Sequence, residues 1–153
     1  MKNVLIAVDD SKGSLKTIKA FLELYSCSRP EKITLLFVEK MMASAIMDEM
    51  LGESEMNTLK EELAGTEYQD RLDKRAAGVL AHYGGVLKEN GIESFSATVK
   101  EGHPADEIIK TAKEEGADLI IVGFRGSRMH NFLMGSVSRE VAISSDVPVL
   151  IAK

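Results

Sequence analysis

Leu119-Ile-Ile-Val122-Gly123-Phe-Arg-Gly126, followed by Met134-Gly135-Ser136-Val137-Ser138, decides how this 153-residue chain is read. A wholly apolar run of four empties into a glycine-rich loop, and a helical pattern starts at Ser136. The run is too short for a helix and too apolar for a half-exposed strand, so it predicts a strand buried on both faces. Glycines let backbone N–H groups approach an anion, and the first turn of a helix adds unpaired N–H donors and partial positive charge. Gly123 and Gly126 suit a tight turn, Gly135 suits the helix entry, Ser136 and Ser138 add hydroxyls, and Arg125 and Arg128 offset negative charge.

Working outward, the same short apolar runs recur. Val4–Val8, Ile33–Val38, Ser94–Val99 and Val147–Ile151 read as the other strands, the third alternating as an edge strand does. Between them lie helical patterns. One starts after Asp9-Asp10-Ser11, with Asp10 or Ser11 as its cap, and ends at Ser28-Arg-Pro30. A long one runs from about Asn57 to Asn90, where Gly65, Gly78 and Gly84-Gly85 allow a break. Another opens at Pro104 and stops at Gly116, and the last covers Ser136 to Ser145. Met41, Met42, Met47, Met50 and Met56 crowd the stretch from 39 to 56, which reads as a short amphipathic helix or a flexible apolar flap.

Strands alternating with helices predict one α/β domain over residues 1–153, a three-layer, doubly wound, five-stranded parallel sheet of order 3-2-1-4-5. Such sheets bind ligands beyond the carboxyl ends of the strands where the winding reverses. Here that point lies between strands one and four, and the loops Asp9–Ser14 and Gly123–Ser136 empty into it.

Composition narrows the function. A net charge of −5 argues against nonspecific nucleic-acid binding, and no apolar run is long enough to span a membrane. The single cysteine, Cys27, permits no internal disulfide and fits a cytoplasmic protein. His82, His103 and His130 have no metal-ligand spacing, no Gly-x-Ser-x-Gly elbow is present, and neither the P-loop nor the dinucleotide fingerprint occurs. No catalytic set emerges. The first-strand carboxylates suit an adenine amino group, a ribose hydroxyl or a phosphate-bound Mg²⁺, and Val38 could frame a base by main-chain contacts.

Three segments together resemble the universal stress protein family in its single-domain form. They are Val4-Leu-Ile-Ala-Val-Asp9-Asp-Ser11; Val99-Lys-Glu-Gly102-His-Pro-Ala105 with Ile108; and Ile120-Ile-Val-Gly123-Phe-Arg-Gly126 leading through Gly135-Ser-Val-Ser138 to Val147-Pro-Val-Leu-Ile151. The resemblance implies an adenine nucleotide alpha hydrolase-like fold and a homodimer formed through the last strand, residues 147–151. It also implies ATP, ADP or AMP binding, with Mg²⁺ accompanying the phosphates, in a nucleotide-dependent sensor or switch with at most slow hydrolysis. Carried over, Asp9 contacts adenosine and Val38 the adenine, Gly123, Gly126, Gly135 and Ser136 hold ribose and phosphates, and Ala7, Val8, Arg125, Val137 and Ser138 complete the nucleotide-binding set. The family's phosphate motif is Gly-x2-Gly-x9-Gly-Ser/Thr. Here eight residues, 127 to 134, separate Gly126 from Gly135, a change that bears on the β- and γ-phosphates more than on adenosine. Another branch of the family lacks the motif, and its members imply the alternative function, a dimeric interaction module that binds no nucleotide.

Overall fold

A computed structural model describes residues 1–40, 58, 61, 65–124 and 135–153. The methionine-rich stretch from 41 to 56 and the loop residues Arg125, Gly126, Arg128 and His130 lie outside the described residues. In chain order the elements are β1 (Asn3–Ala7), α1 (Lys12–Cys27), β2 (Lys32–Glu39), α2 (Glu67–Glu89), β3 (Ser96–Glu101), α3 (Pro104–Glu114), β4 (Leu119–Gly123), α4 (Ser136–Ser144) and β5 (Val149–Ala152). The strands form one parallel sheet of order β3-β2-β1-β4-β5, as the alternation predicts.

Strand side chains alternate between two faces, and each face gathers its own core. Val4, Ile6, Ile33, Leu35, Phe37 and Ile121 pack with Ile18 and Phe21 of α1 and with Ala76, Leu80, Tyr83 and Leu87 of α2. Leu5, Leu36, Ile120 and Val122 pack instead with Ala105, Ile108 and Ala112 of α3 and Val141 of α4. Both faces of β1 and β4 are therefore covered, which is why these strands read as continuous apolar runs. Each such fully buried side chain contributes about 1.5–3 kcal/mol.

The helical pattern from about Asn57 to Asn90 is broken at Gly65, one of the glycines expected to allow it. Gly65 has φ +81°, a left-handed conformation that interrupts a right-handed helix. α2 restarts at Thr66, whose hydroxyl accepts the Gln69 N–H at 3.3 Å, with Glu67 and Asp70 in its positive first turn. It ends where Gly91, φ +78°, lets the Ile92 N–H reach the Leu87 carbonyl at 3.0 Å and Ile92 bury itself against the core.

At the opposite end of the sheet from the loops, Asp118 joins β1 to β4. Its Oδ2 accepts the N–H groups of Lys2 and Asn3 at 2.7 and 2.9 Å, and its own N–H donates to the Asn3 carbonyl at 2.8 Å. These contacts hold the register Val4↔Leu119 and so align the two strand ends that face the crevice. No helix among the described residues is long and apolar enough to cross a membrane.

Candidate functional site

From β1 the chain winds outward to β2 and β3, and from β4 it winds the other way to β5. The helices leaving β1 and β4 therefore diverge, opening a cavity of about 430 Å³ over the carboxyl ends of β1, β2 and β4. That volume suits a small-molecule ligand. Ala7, Val8 and Asp9 line it from the end of β1, Val38 from β2 and Gly123 from β4. Gly135, Ser136, Val137 and Ser138 line it from the start of α4. All the described site residues expected from sequence thus meet in one crevice.

The α4 end is rich in donors. Gly135 occupies the cap position and has no side chain to bond the first N–H groups of the helix, so these remain available to an anion. Ser136 is exposed beside them. Ser138 is different: its buried hydroxyl donates to the Gly135 carbonyl at 3.1 Å, bracing the helix entry instead of offering a free donor.

Gly123 is constrained chiefly by packing. A Cβ there would lie 2.7 Å from the carbonyl carbon and oxygen of Gly13 and 2.9 Å from Thr17 Oγ1. The first turn of α1 therefore rests directly on the end of β4. Gly13 is the matching half of this contact, since its own Cβ would come within 3.3 Å of the Phe124 carbonyl oxygen. Sequence reasoning passed over Gly13, although a glycine in the first turn of a helix, in a chain with a glycine-ended strand, was the available signal.

The loop after β1 is tied to itself. Asp9 Oδ1 accepts the Ser11 N–H at 2.9 Å, the Ser14 hydroxyl at 2.7 Å and the Ser11 hydroxyl. Ser14 Oγ in turn accepts the Asp9 N–H at 2.7 Å. Ser11 stands at the cap position of α1, yet its hydroxyl turns back to Asp9 and makes no cap hydrogen bond. Asp10 takes Arg75 of α2 through Nε and Nη2 at 3.0 and 2.7 Å, a bridge that spans the rim of the crevice. Tyr83 lies buried behind this loop, its phenol pushed up by burial and by the Asp9 carboxylate.

Glu39, Leu72 and Arg75 extend the lining beyond the expected set. Glu39 is 3% exposed, and neither of its carboxylate oxygens has a hydrogen-bond partner among the described residues. Burial, then the charges of Asp73 and Glu101, push its carboxyl above the usual range, with Arg75 opposing. Opposite, His103 stands 3.3 Å from Asp106 through Nδ1 and 3.7 Å from Glu140 through Nε2. These three are the group of described residues with spacing suited to a metal ion. Glu140 comes from α4, far from His103 in sequence, so histidine spacing alone did not reveal the trio.

The crevice therefore has two ends of opposite character, with helix N–H groups at α4 and carboxylates beyond β1 and β2. Fold and site together define an open-sheet α/β protein with a ligand crevice at its switch point. The model of the universal stress protein family matches residues 1–153, and the chain belongs to that family. It is 31% identical to universal stress protein MJ0577 of Methanocaldococcus jannaschii, over 99% of this chain and 94% of that one. A solved structure of MJ0577 matches with a TM-score of 0.64 at 26% identity, covering 99% of this chain and 95% of that one. A universal stress protein in complex with cAMP matches with a TM-score of 0.64 at 19% identity, covering 99% and 96% of the two chains. The universal stress protein of Archaeoglobus fulgidus in complex with dAMP matches at 0.60 and 17%, covering 100% and 98%. At those identities the last two speak for the fold.

Proposed function

We propose that this chain is an adenine-nucleotide-binding stress protein that acts as a nucleotide-dependent sensor or switch. The observation that carries the reading is the polarity of the crevice: an uncapped helix N-terminus at one end, and Asp9 and Val38 at the other. Phosphates belong at Gly135, Ser136 and Val137, where N–H donors and the helix dipole favour negative charge. The base and ribose belong at Ala7, Val8, Asp9 and Val38, because carboxylates there repel phosphate. Gly123, Arg125, Gly126 and Ser138 complete the phosphate side, Ser138 by holding the Gly135 carbonyl in place. The complexes of this fold with cAMP and dAMP, both adenine nucleotides, support the choice of base. Mg²⁺, where it takes part, enters with the phosphates.

Isothermal titration with MgATP, ADP and AMP tests the reading. Saturable binding of at least one is expected, and no heat at about millimolar nucleotide, a free energy near 4 kcal/mol, overturns it.

The same reading includes a homodimer through residues 147–151. β5 ends the sheet, so one row of its backbone groups lacks a strand partner among the described residues, and Val149, Leu150 and Ile151 are only half-buried. Pairing two such edges about a two-fold axis covers both. Light scattering on a size-exclusion column is expected to report twice the chain mass, and a strict monomer contradicts it.

A further inference from the structure

Glu39 is the group in this molecule whose surroundings ask most plainly for a ligand. It closes β2 in register with Glu101, and its carbonyl accepts the Gly102 N–H at 3.0 Å, so its backbone is fixed at the floor of the crevice. The side chain is almost wholly buried and has no hydrogen-bond partner among the described residues. Buried polar groups in native proteins are nearly always paired, so an exception calls for an explanation, and beside a ligand crevice a ligand group is one.

The charged neighbours among the described residues do not supply a partner. From α2 come Asp73 and Arg75, from β3 Glu101, and from the loop after β1 Asp10, which already holds the Arg75 guanidinium. Lys40 follows in the chain, and His103 and Glu140 line the far wall. Gln69, also on α2, bridges Asp73 and Glu101 at 3.0 and 3.3 Å and leaves Glu39 aside. The acidic surroundings repel a phosphate, so the ligand group that meets this carboxyl must donate a hydrogen bond.

We propose that the Glu39 carboxyl is the base-reading acceptor of the nucleotide site, taking a hydrogen bond from the amino group of a 6-aminopurine at the β1–β2 end of the crevice. The inference rests on the nucleotide reading above and assigns the base contact within it. Ionised or neutral, a carboxyl keeps an acceptor oxygen for that amino group. Val38, one residue earlier, lines the same end and brings main-chain groups beside it.

A ligand-by-residue cycle tests this. AMP and purine riboside 5′-monophosphate, which lacks the 6-amino group and adds no bulk, are titrated into the wild-type chain, Glu39→Leu and Glu39→Gln. The wild type is expected to favour AMP by about tenfold or more, the usual penalty for leaving a buried acceptor unpaired. In Glu39→Leu the preference should fall to about twofold or less, and in Glu39→Gln, whose amide oxygen still accepts, it should persist. A preference unchanged in Glu39→Leu overturns the Glu39 assignment and leaves the nucleotide reading standing. Failure of every nucleotide to bind the wild type overturns both. Both replacements relieve a buried unpaired carboxyl, so the variants should fold, and matched thermal unfolding confirms that affinities are compared between intact proteins.

Discussion

Replacing Gly123 with alanine adds one methyl group at the place where α1 and β4 touch. That methyl would stand 2.7 Å from two backbone atoms of Gly13 and 2.9 Å from the Thr17 hydroxyl, against the 3.4–4 Å of ordinary contact. Neither neighbour can swing aside. Gly13 is backbone in the first turn of α1, and Thr17 is fully buried with its hydroxyl on the Gly13 carbonyl at 3.1 Å. Gly123 itself has no positive φ, so alanine fits its backbone conformation and the whole penalty is steric. Relief requires the start of α1 to lift from the sheet, against the buried contacts of Ile18 and Phe21. Overpacking of this kind costs about 1–3 kcal/mol, and a backbone obstacle places it toward the upper half. For a chain of this length that lowers Tm by about 4–12 °C, read by calorimetry or by circular dichroism during a thermal scan. The same lift displaces the Asp9–Ser14 loop, so nucleotide affinity should fall with stability. A Tm within about 1 °C of wild type would refute the close approach and the account of why glycine stands there.

Three further outcomes are expected. Gly78 and Gly85 lie inside α2 with nothing within 4 Å of an added Cβ, so Gly78→Ala and Gly85→Ala should each stabilise by about 0.8–1 kcal/mol in urea unfolding. Gly84→Ala should gain less, because its Cβ meets the Phe95 ring at 2.9 Å. Glu39 carries a raised pKa in the fold, so the folded state holds its proton more tightly than the unfolded chain does. Its contribution is best below the unfolded carboxyl value near 4.3 and is lost as pH rises through the folded value. Glu39→Gln should therefore be more stable than wild type at neutral pH, with the gap closing toward pH 4 in denaturant titrations. Asp118 behaves oppositely, since the N–H groups of Asn3 and Lys2 hold its carboxyl below the usual range. Its contribution is present above the unfolded value and disappears as pH falls through the folded one, so Asp118→Asn should flatten the acid limb of the stability profile.

Much of this molecule can be read along the chain because its strands are buried on both faces. Val4–Val8 and Leu119–Val122 announce themselves by apolar continuity, and the alternation with helices leads to the sheet order and the switch point. From there the crevice follows, with Asp9, Val38 and Gly135 in its wall. What escaped depends on contacts between elements distant in sequence. Ser11 looks like a cap, but Asp9 draws its hydroxyl back, and the partner of Asp10, Arg75, arrives from α2. Gly123 reads as a phosphate-loop glycine, while the pressure on it comes from Gly13 across the interface. Glu39 sits one residue past the apolar run and reads as the start of the methionine-rich stretch. Only the packing of β2 beneath α2 reveals it as a buried acid. Ser138 and His103 are similar cases, their partners being set by helix geometry and not by neighbouring letters.

The central claim is that the crevice between β1 and β4 holds an adenine nucleotide with its phosphates on α4. Titration calorimetry of the full chain with MgATP, ADP and AMP tests it most directly, run beside Ser136→Pro. Proline suits the first helical position, but removes one N–H donor from the proposed phosphate site. The account predicts saturable binding by the wild type and a loss of about tenfold in the variant at unchanged stability. Wild-type protein that takes up none of the three nucleotides, or a variant that binds them as tightly as wild type, would contradict it.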